Sequence, residues 1–157
     1  MKLDLIQLFV EYHIEMTRRV WDLIDTITDE QFLAEDGYSQ GSIRNLMVHL
    51  ASVDRRWLAG LKNLDDVGHL KQEDYRTRAN AREAFENVVN DLSEYVLTLT
   101  EDMLNKPTDK VDRPQWQILL HLVNHGTDHR ATVLQRLNEL GVKTFPQDLV
   151  IWLWERK

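Results

Sequence analysis

Three histidines, His121, His125 and His129, stand at successive intervals of four residues. They lie in Pro114 to Gly141, PQWQILLHLVNHGTDHRATVLQRLNELG, which reads as one long helix. Residues four apart on a helix sit one turn apart on nearly the same face. Two imidazoles so placed can converge on one metal ion. Zinc-like ions take imidazole nitrogen at about 2.0–2.1 Å, and catalytic sites often use three protein ligands plus a water. Both His121/His125 and His125/His129 have the required spacing, and spacing alone does not choose between them. A third ligand must come from another segment, for which His49 is the candidate. No HExxH motif accompanies the pair, because Leu122 follows His121 and Gly126 follows His125. The built-in glutamate base of a helical zinc hydrolase is therefore missing.

Four long helices have to position these side chains. The first is expected from Lys2 to Ile27, where Ile6, Phe9, Val10, Ile14, Val20, Leu23 and Ile24 follow a helical apolar rhythm. His13 falls on or beside that face and reads as a satisfied core residue rather than a ligand. Thr28 and Gln31 have the spacing of a capping box and predict a short helical turn, stopped at Asp36-Gly37. Gly37 to Gly41 reads as a loop. Ser42, with Ser39 as the alternative, caps a second long helix from Ile43 to Leu61. His49 shares the face of Val53 and Trp57 there, so it points inward or to an inner edge. Asp54 reads as a surface residue, as does Asp128, with a supporting place behind the ligands as the alternative.

Asn63 to Tyr75 is polar and irregular, and His69 within it reads as an exposed loop residue. A third long helix is expected from Ala79 to Leu104, its core stripe running from Phe85 and Val88 to Leu99 and Met103. Glu94 and Glu101 read as surface groups. Pro114 suits the first turn of the fourth helix and Gly141 its stop. Gly126 offers space for close approach of another helix or a substrate. The tail LVIWLWERK is rich in apolar groups and reads as packed on the bundle or as a subunit contact. Together these elements predict an all-α fold, an antiparallel four-helix bundle with a short helical tail.

Composition narrows the chemistry. A chain of 157 residues suits one domain, 1–157, able to bury a core without staples. With no cysteine, disulfides, thiolate ligands and a protein thiol nucleophile are excluded. The net charge of −7 argues against a nucleic-acid partner, since the basic residues Arg18, Arg19, Arg55, Arg56, Arg76, Arg78 and Arg82 are scattered among acids. No apolar run approaches a membrane span and no signal-peptide core is evident. A cytoplasmic protein is expected.

The segment LLHLVNHGTDHRATVLQRLNELG resembles the C-terminal helix motif of the DinB/YfiT-like metalloenzyme family. SIRNLMVHLASVDRRWL resembles that family's second-helix motif, with a tryptophan eight residues after its histidine. The pattern G-x-x-x-x-P-x-D, here Gly141, Pro146 and Asp148, is also similar. The resemblance implies a four-helix bundle with one divalent metal on three histidines, carried position by position onto His49, His125 and His129. His121 matches a frequent family histidine that is not usually a ligand. Imidazole suits several first-row ions; zinc or nickel is expected first, with iron or manganese also open. The resemblance further implies thiol-dependent transferases, isomerases or hydrolases, a small-molecule substrate that includes a low-molecular-weight thiol, and a homodimer. Three neutral ligands would leave the ion its full double charge, able to polarise an oxygen or sulfur. A binding or stress-response module with a structural or vestigial metal is the alternative.

Overall fold

The computed structural model describes residues 1–35 and 37–156; the expected stop at Asp36 and the last residue of the tail, Lys157, lie outside the described residues. The helices, in order, are α1 Leu3–Ile24, α2 Asp29–Leu33, α3 Ile43–Leu61, α4 Arg78–Thr98, α5 Glu101–Leu104, α6 Gln115–Glu139 and α7 Leu149–Glu155, with one 3₁₀ turn at Gln72–Asp74. No strand occurs among the described residues, so the fold is all-helical. The four long helices close a ring: α1 packs on α6 and α4, and α3 packs on α4 and α6.

Local chemistry explains the boundaries. Thr28 accepts from the Gln31 backbone and Gln31 reaches back to the Thr28 backbone, so the capping box forms as expected. Ser42, not Ser39, caps α3 by accepting from Asn45. Ser39 instead turns the chain at φ 53°. At the end of α6, Gly141 takes φ 84°; its N–H donates to Asn138 and the Val142 N–H to Leu137, which terminates the last turn.

The third long helix departs from expectation. It stops at Thr98 rather than running to Leu104, and α5 begins afresh after Thr100. The Thr98 hydroxyl donates to the Tyr95 carbonyl and the Thr100 hydroxyl accepts from Met103, so side chains take over backbone hydrogen bonds at the break. Leu99 is extended and stays buried, but the helix phase changes there. Met103, expected in the core stripe, is consequently exposed, and Leu104 is buried in its place.

The core runs the length of the ring. Trp21 of α1 lies between Phe32 of α2 and Phe85 of α4, with centroids at 6.1 and 6.2 Å. Burying a side chain such as Phe85 stabilises by about 1.5–3 kcal/mol. The tail does pack: Trp152 of α7 is buried edge-on against Tyr12 at 5.4 Å and donates to Glu15. Trp154 and Val150 of the same helix face solvent.

Candidate metal centre

Against this frame, α3 supplies His49 and α6 supplies His125 and His129, all aimed into the seam between those two helices. The Nε2 atom of His125 lies 3.3 Å from Nε2 of His49 and 2.9 Å from Nε2 of His129. The three rings offer ligand atoms that all fall within 4.8 Å of one another. Three nitrogens at the usual imidazole–zinc distance around a tetrahedral ion would stand about 3.3 Å apart. The His49–His125 spacing equals that value and the His125–His129 spacing falls about 0.4 Å short of it, so a small separation of the two α6 rings would admit an ion. His121 is outside this group. It is exposed, with its ring centroid 5.6 Å from that of His125 and 5.9 Å from Trp57. His69 is exposed too, bonded to Ser52 and Arg56 and lining the same cleft as Trp57.

The electrostatics keep these imidazoles neutral. Burial holds the His125 imidazole down to about 3, with the neighbouring His129 and His49 adding to the effect. Burial also lowers His49 and His129, in the latter against the opposing pull of Asp128 and Asp54. Neutral imidazoles keep the lone pairs that a cation requires. Among buried side-chain atoms, Nδ1 of His125 and of His129 have no hydrogen-bond partner. The outward nitrogens of ligand histidines are ordinarily donors to an acceptor or a water.

A pH dependence follows for the metal-free chain. Unfolded, these histidines bind protons near their ordinary value of 6.5, whereas folded His125 resists protonation down to about 3. The unfolded state therefore holds more protons in that window, and stability rises with pH across it. The contribution is complete above about 6.5 and is lost as pH falls toward the folded value. Urea denaturation at pH 7 and pH 4.5 should show a weaker fold at the lower pH. His125→Gln should shrink the difference; an unchanged difference would assign it to other groups.

Behind the triad lies a cluster that corrects the reading of Asp54. It is not a surface residue but fully buried, accepting from His13 Nε2 at 2.9 Å. Asp128, by contrast, is exposed as expected. His13 is a satisfied core residue: its Nδ1 lies 3.1 Å from Arg130 Nη1. Arg130, which the sequence reading did not single out, is also wholly buried and donates to Thr17, Thr127 and Gln147. Asp54 Oδ1 is buried without a partner. Leaving such an atom unsatisfied costs about 1–3 kcal/mol or more.

Gly126 makes the close approach possible, and the approaching element is a helix. A Cβ at that position would lie 2.3 Å from His13 Nδ1 and 2.9 Å from Arg130 Nη1. Gly126→Ala should therefore destabilise the fold by about 1–3 kcal/mol despite alanine's better helix propensity. Thermal unfolding of the variant checks this; a neutral or raised midpoint would show that α1 can retreat freely.

A family model described as the DinB family matches residues 1–156. Protein DinB of Bacillus subtilis (strain 168) is 26% identical over 160 residues, covering 94% of this chain and 92% of that protein.

Proposed function

The chain belongs to the DinB family, and on that premise we propose that it is a divalent-metal-binding protein acting as a metal-dependent enzyme, a small-thiol-dependent transferase or a hydrolase. The observation that carries the reading is the convergence of three Nε2 atoms from two helices 76 residues apart in sequence. His49, His125 and His129 would hold the ion, with zinc or nickel the first candidates. A dication there supplies Lewis acidity toward an oxygen or a sulfur donor at neutral pH.

The rest of the chemistry falls to the chain's own residues. Val53, Trp57, Gly60 and Val111, together with Arg56, Asp66, His69 and Lys110, line a cleft of about 350 Å³, and Trp57 links it to the histidines through His121. That cleft would seat the apolar part of a small substrate against Val53 and Trp57, with Arg56 and Lys110 available to an anionic group. His121, exposed between Trp57 and His125, is placed to exchange a proton with a bound molecule. With no cysteine in the chain, the attacking sulfur would come from a free low-molecular-weight thiol. In the transferase, that sulfur forms a bond to an electrophilic carbon and the leaving group departs with its electron pair.

The ring of four long helices supports an antiparallel four-helix bundle as the scaffold, forming a single domain. The exposed Trp154 and Val150 support a homodimer formed through the tail. No helix among the described residues is long and apolar enough to cross a membrane, which fits the proposed cytoplasmic location. Elemental analysis of protein grown in metal-replete medium tests the site, and about one first-row ion per chain is expected. Assays pairing small thiols with soft electrophiles test the reaction. A metal-loaded chain that turns over neither these nor ester and amide substrates would return the protein to the class of binding modules.

A further inference from the structure

Two cations from different elements stand at the cleft beside the histidines. Arg56 belongs to α3 and Lys110 to the loop before α6, and both line it. Neighbouring residues of a third segment hold them there. Asp66 accepts from Nε and Nη2 of Arg56, each at 3.1 Å, and Asp65 accepts from Lys110 Nζ at 2.8 Å. These carboxylates are 65% and 96% exposed, so they orient the cations without sealing them from a ligand. Nor do they use up the donors. A guanidinium has five N–H groups and an ammonium three. Asp66 takes two from Arg56 and His69 Nε2 a third, which leaves one on each terminal nitrogen with no acceptor among the described residues. Lys110 likewise keeps two. His69 offers the cleft no proton: an arginine only donates, so Nε2 is an acceptor, and the proton on Nδ1 goes to Ser52 Oγ.

The apolar side is equally fixed. Val53 and Trp57 follow His49 by four and eight residues, so the cleft continues along the face of α3 that carries that histidine. Trp57 meets His121 with ring centroids 5.9 Å apart. Val111 packs on Gly60, where a Cβ would lie 2.8 Å from its Cγ2. The Thr108 hydroxyl donates to the Gly60 carbonyl at 2.9 Å and accepts from the Val111 N–H at 3.1 Å. The loop that carries Lys110 and Val111 is thus anchored on α3 before any ligand arrives.

We propose that this cleft selects a small carboxylic acid as the substrate of the neighbouring site. Its carboxylate accepts from the spare donors of Arg56 and Lys110, its apolar body lies on Trp57, Val53 and Val111, and its other end is directed past Trp57 to His121. This rests on the reading of the cleft as the substrate's seat and names the class of molecule that fits it. Two cations beside an aromatic wall suit an anion with a flat or short apolar body, and about 350 Å³ is near the small end of ligand pockets. Asp65 and Asp66 are then internal rivals of the ligand: they keep the two cations in place and compete for their charge.

The test is calorimetric titration of the purified full-length chain with phenylacetate and with phenylacetamide, which share a body and differ in charge. Each titration is run on the chain as purified and again after a chelator has removed any metal, so that an acid held only by a metal ion is recognised by its loss. The acid is expected to bind about tenfold or more tightly than the amide in both states. Arg56→Gln and Lys110→Gln should each remove most of that preference and leave the amide unchanged, whereas Trp57→Ala should weaken both probes. Asp65→Asn should bind the acid about two- to fivefold more tightly and the amide as wild type does, a gain that loss of structure does not produce. An acid that binds no tighter than the amide, acid binding that disappears with the metal, a preference that survives both cation substitutions, or acid affinity that fails to rise in Asp65→Asn overturns the proposal. Should Arg56→Gln fail to fold, Lys110→Gln and Asp65→Asn decide. Metal content is measured on the same samples. A chain without metal that prefers the acid keeps this cleft and removes the metal reading; a metal-loaded chain that ignores the acid does the opposite.

Discussion

His129→Ala is expected to weaken divalent-metal binding by at least about a hundredfold, since loss of a direct ligand should exceed the 10–100-fold effects of outer supports. Three neutral imidazoles hold the ion, so removing one leaves two, and solvent must fill the gap. His129 is the most buried of the three, and its ring faces both partners, with centroids 4.3 Å from His125 and 5.0 Å from His49. His49→Ala should lose a similar amount, although it sits on the opposite helix. His69→Ala should leave affinity unchanged, because that ring is engaged by Ser52 and Arg56. His121→Ala should cost less than about threefold, an effect smaller than that of an outer support. Chelator competition with elemental analysis reads all four. If His121→Ala costs as much as His129→Ala, the ligand set is wrong and the upper pair on α6 belongs to it.

That comparison also shows how far the sequence alone reached. The pair His125/His129 and the helix that carries it were legible from spacing, because helical geometry is local. The choice of that pair over His121/His125 was not: it depends on how α3 lies against α6, and the resemblance to family motifs supplied it. His49 was a candidate from its place beside Val53 and Trp57 on the inner face of its helix, and the resemblance strengthened it. The ionic cluster behind the site was missed, although a signal existed. Asp54 falls four residues after Leu50 and four before Leu58, in the phase of the buried face of α3. Arg130 falls four after Gly126 and four before Leu134, again in phase with buried positions. A charge in the apolar register is expensive unless paired, so two such charges on facing helices predict each other. The break after Thr98 was hidden for another reason. Apolar spacing continues across Leu99 and Leu104, and only the capping capacity of Thr98 and Thr100 distinguishes two helices from one.

Arg130→Met should destabilise the metal-free fold by about 3 kcal/mol, since Arg130 and Asp54, both buried, are bridged by the His13 ring rather than in contact, and losing the cation leaves the carboxylate charge uncompensated. Methionine fills much of the volume, so the loss is electrostatic more than steric. Asp54 would keep its His13 N–H but lose the buried positive charge on the other side of that ring, and Gln147 Oε1 and Thr17 would each lose a donor. Urea denaturation at pH 7 measures the effect. The double variant Arg130→Met/Asp54→Asn should be more stable than Arg130→Met alone, because neutralising the carboxylate removes the charge that the first substitution stranded. Strict additivity, or a single-variant loss below about 1 kcal/mol, would mean that water reaches Asp54 and that the cluster is not the sealed ionic unit its burial describes. Gly126, whose missing side chain lets His13 and Arg130 meet, stands apart from that coupling. Gly126→Ala should keep most of its cost in the Arg130→Met/Asp54→Asn background, because the atoms nearest the added methyl group belong to the His13 ring, which both substitutions leave in place.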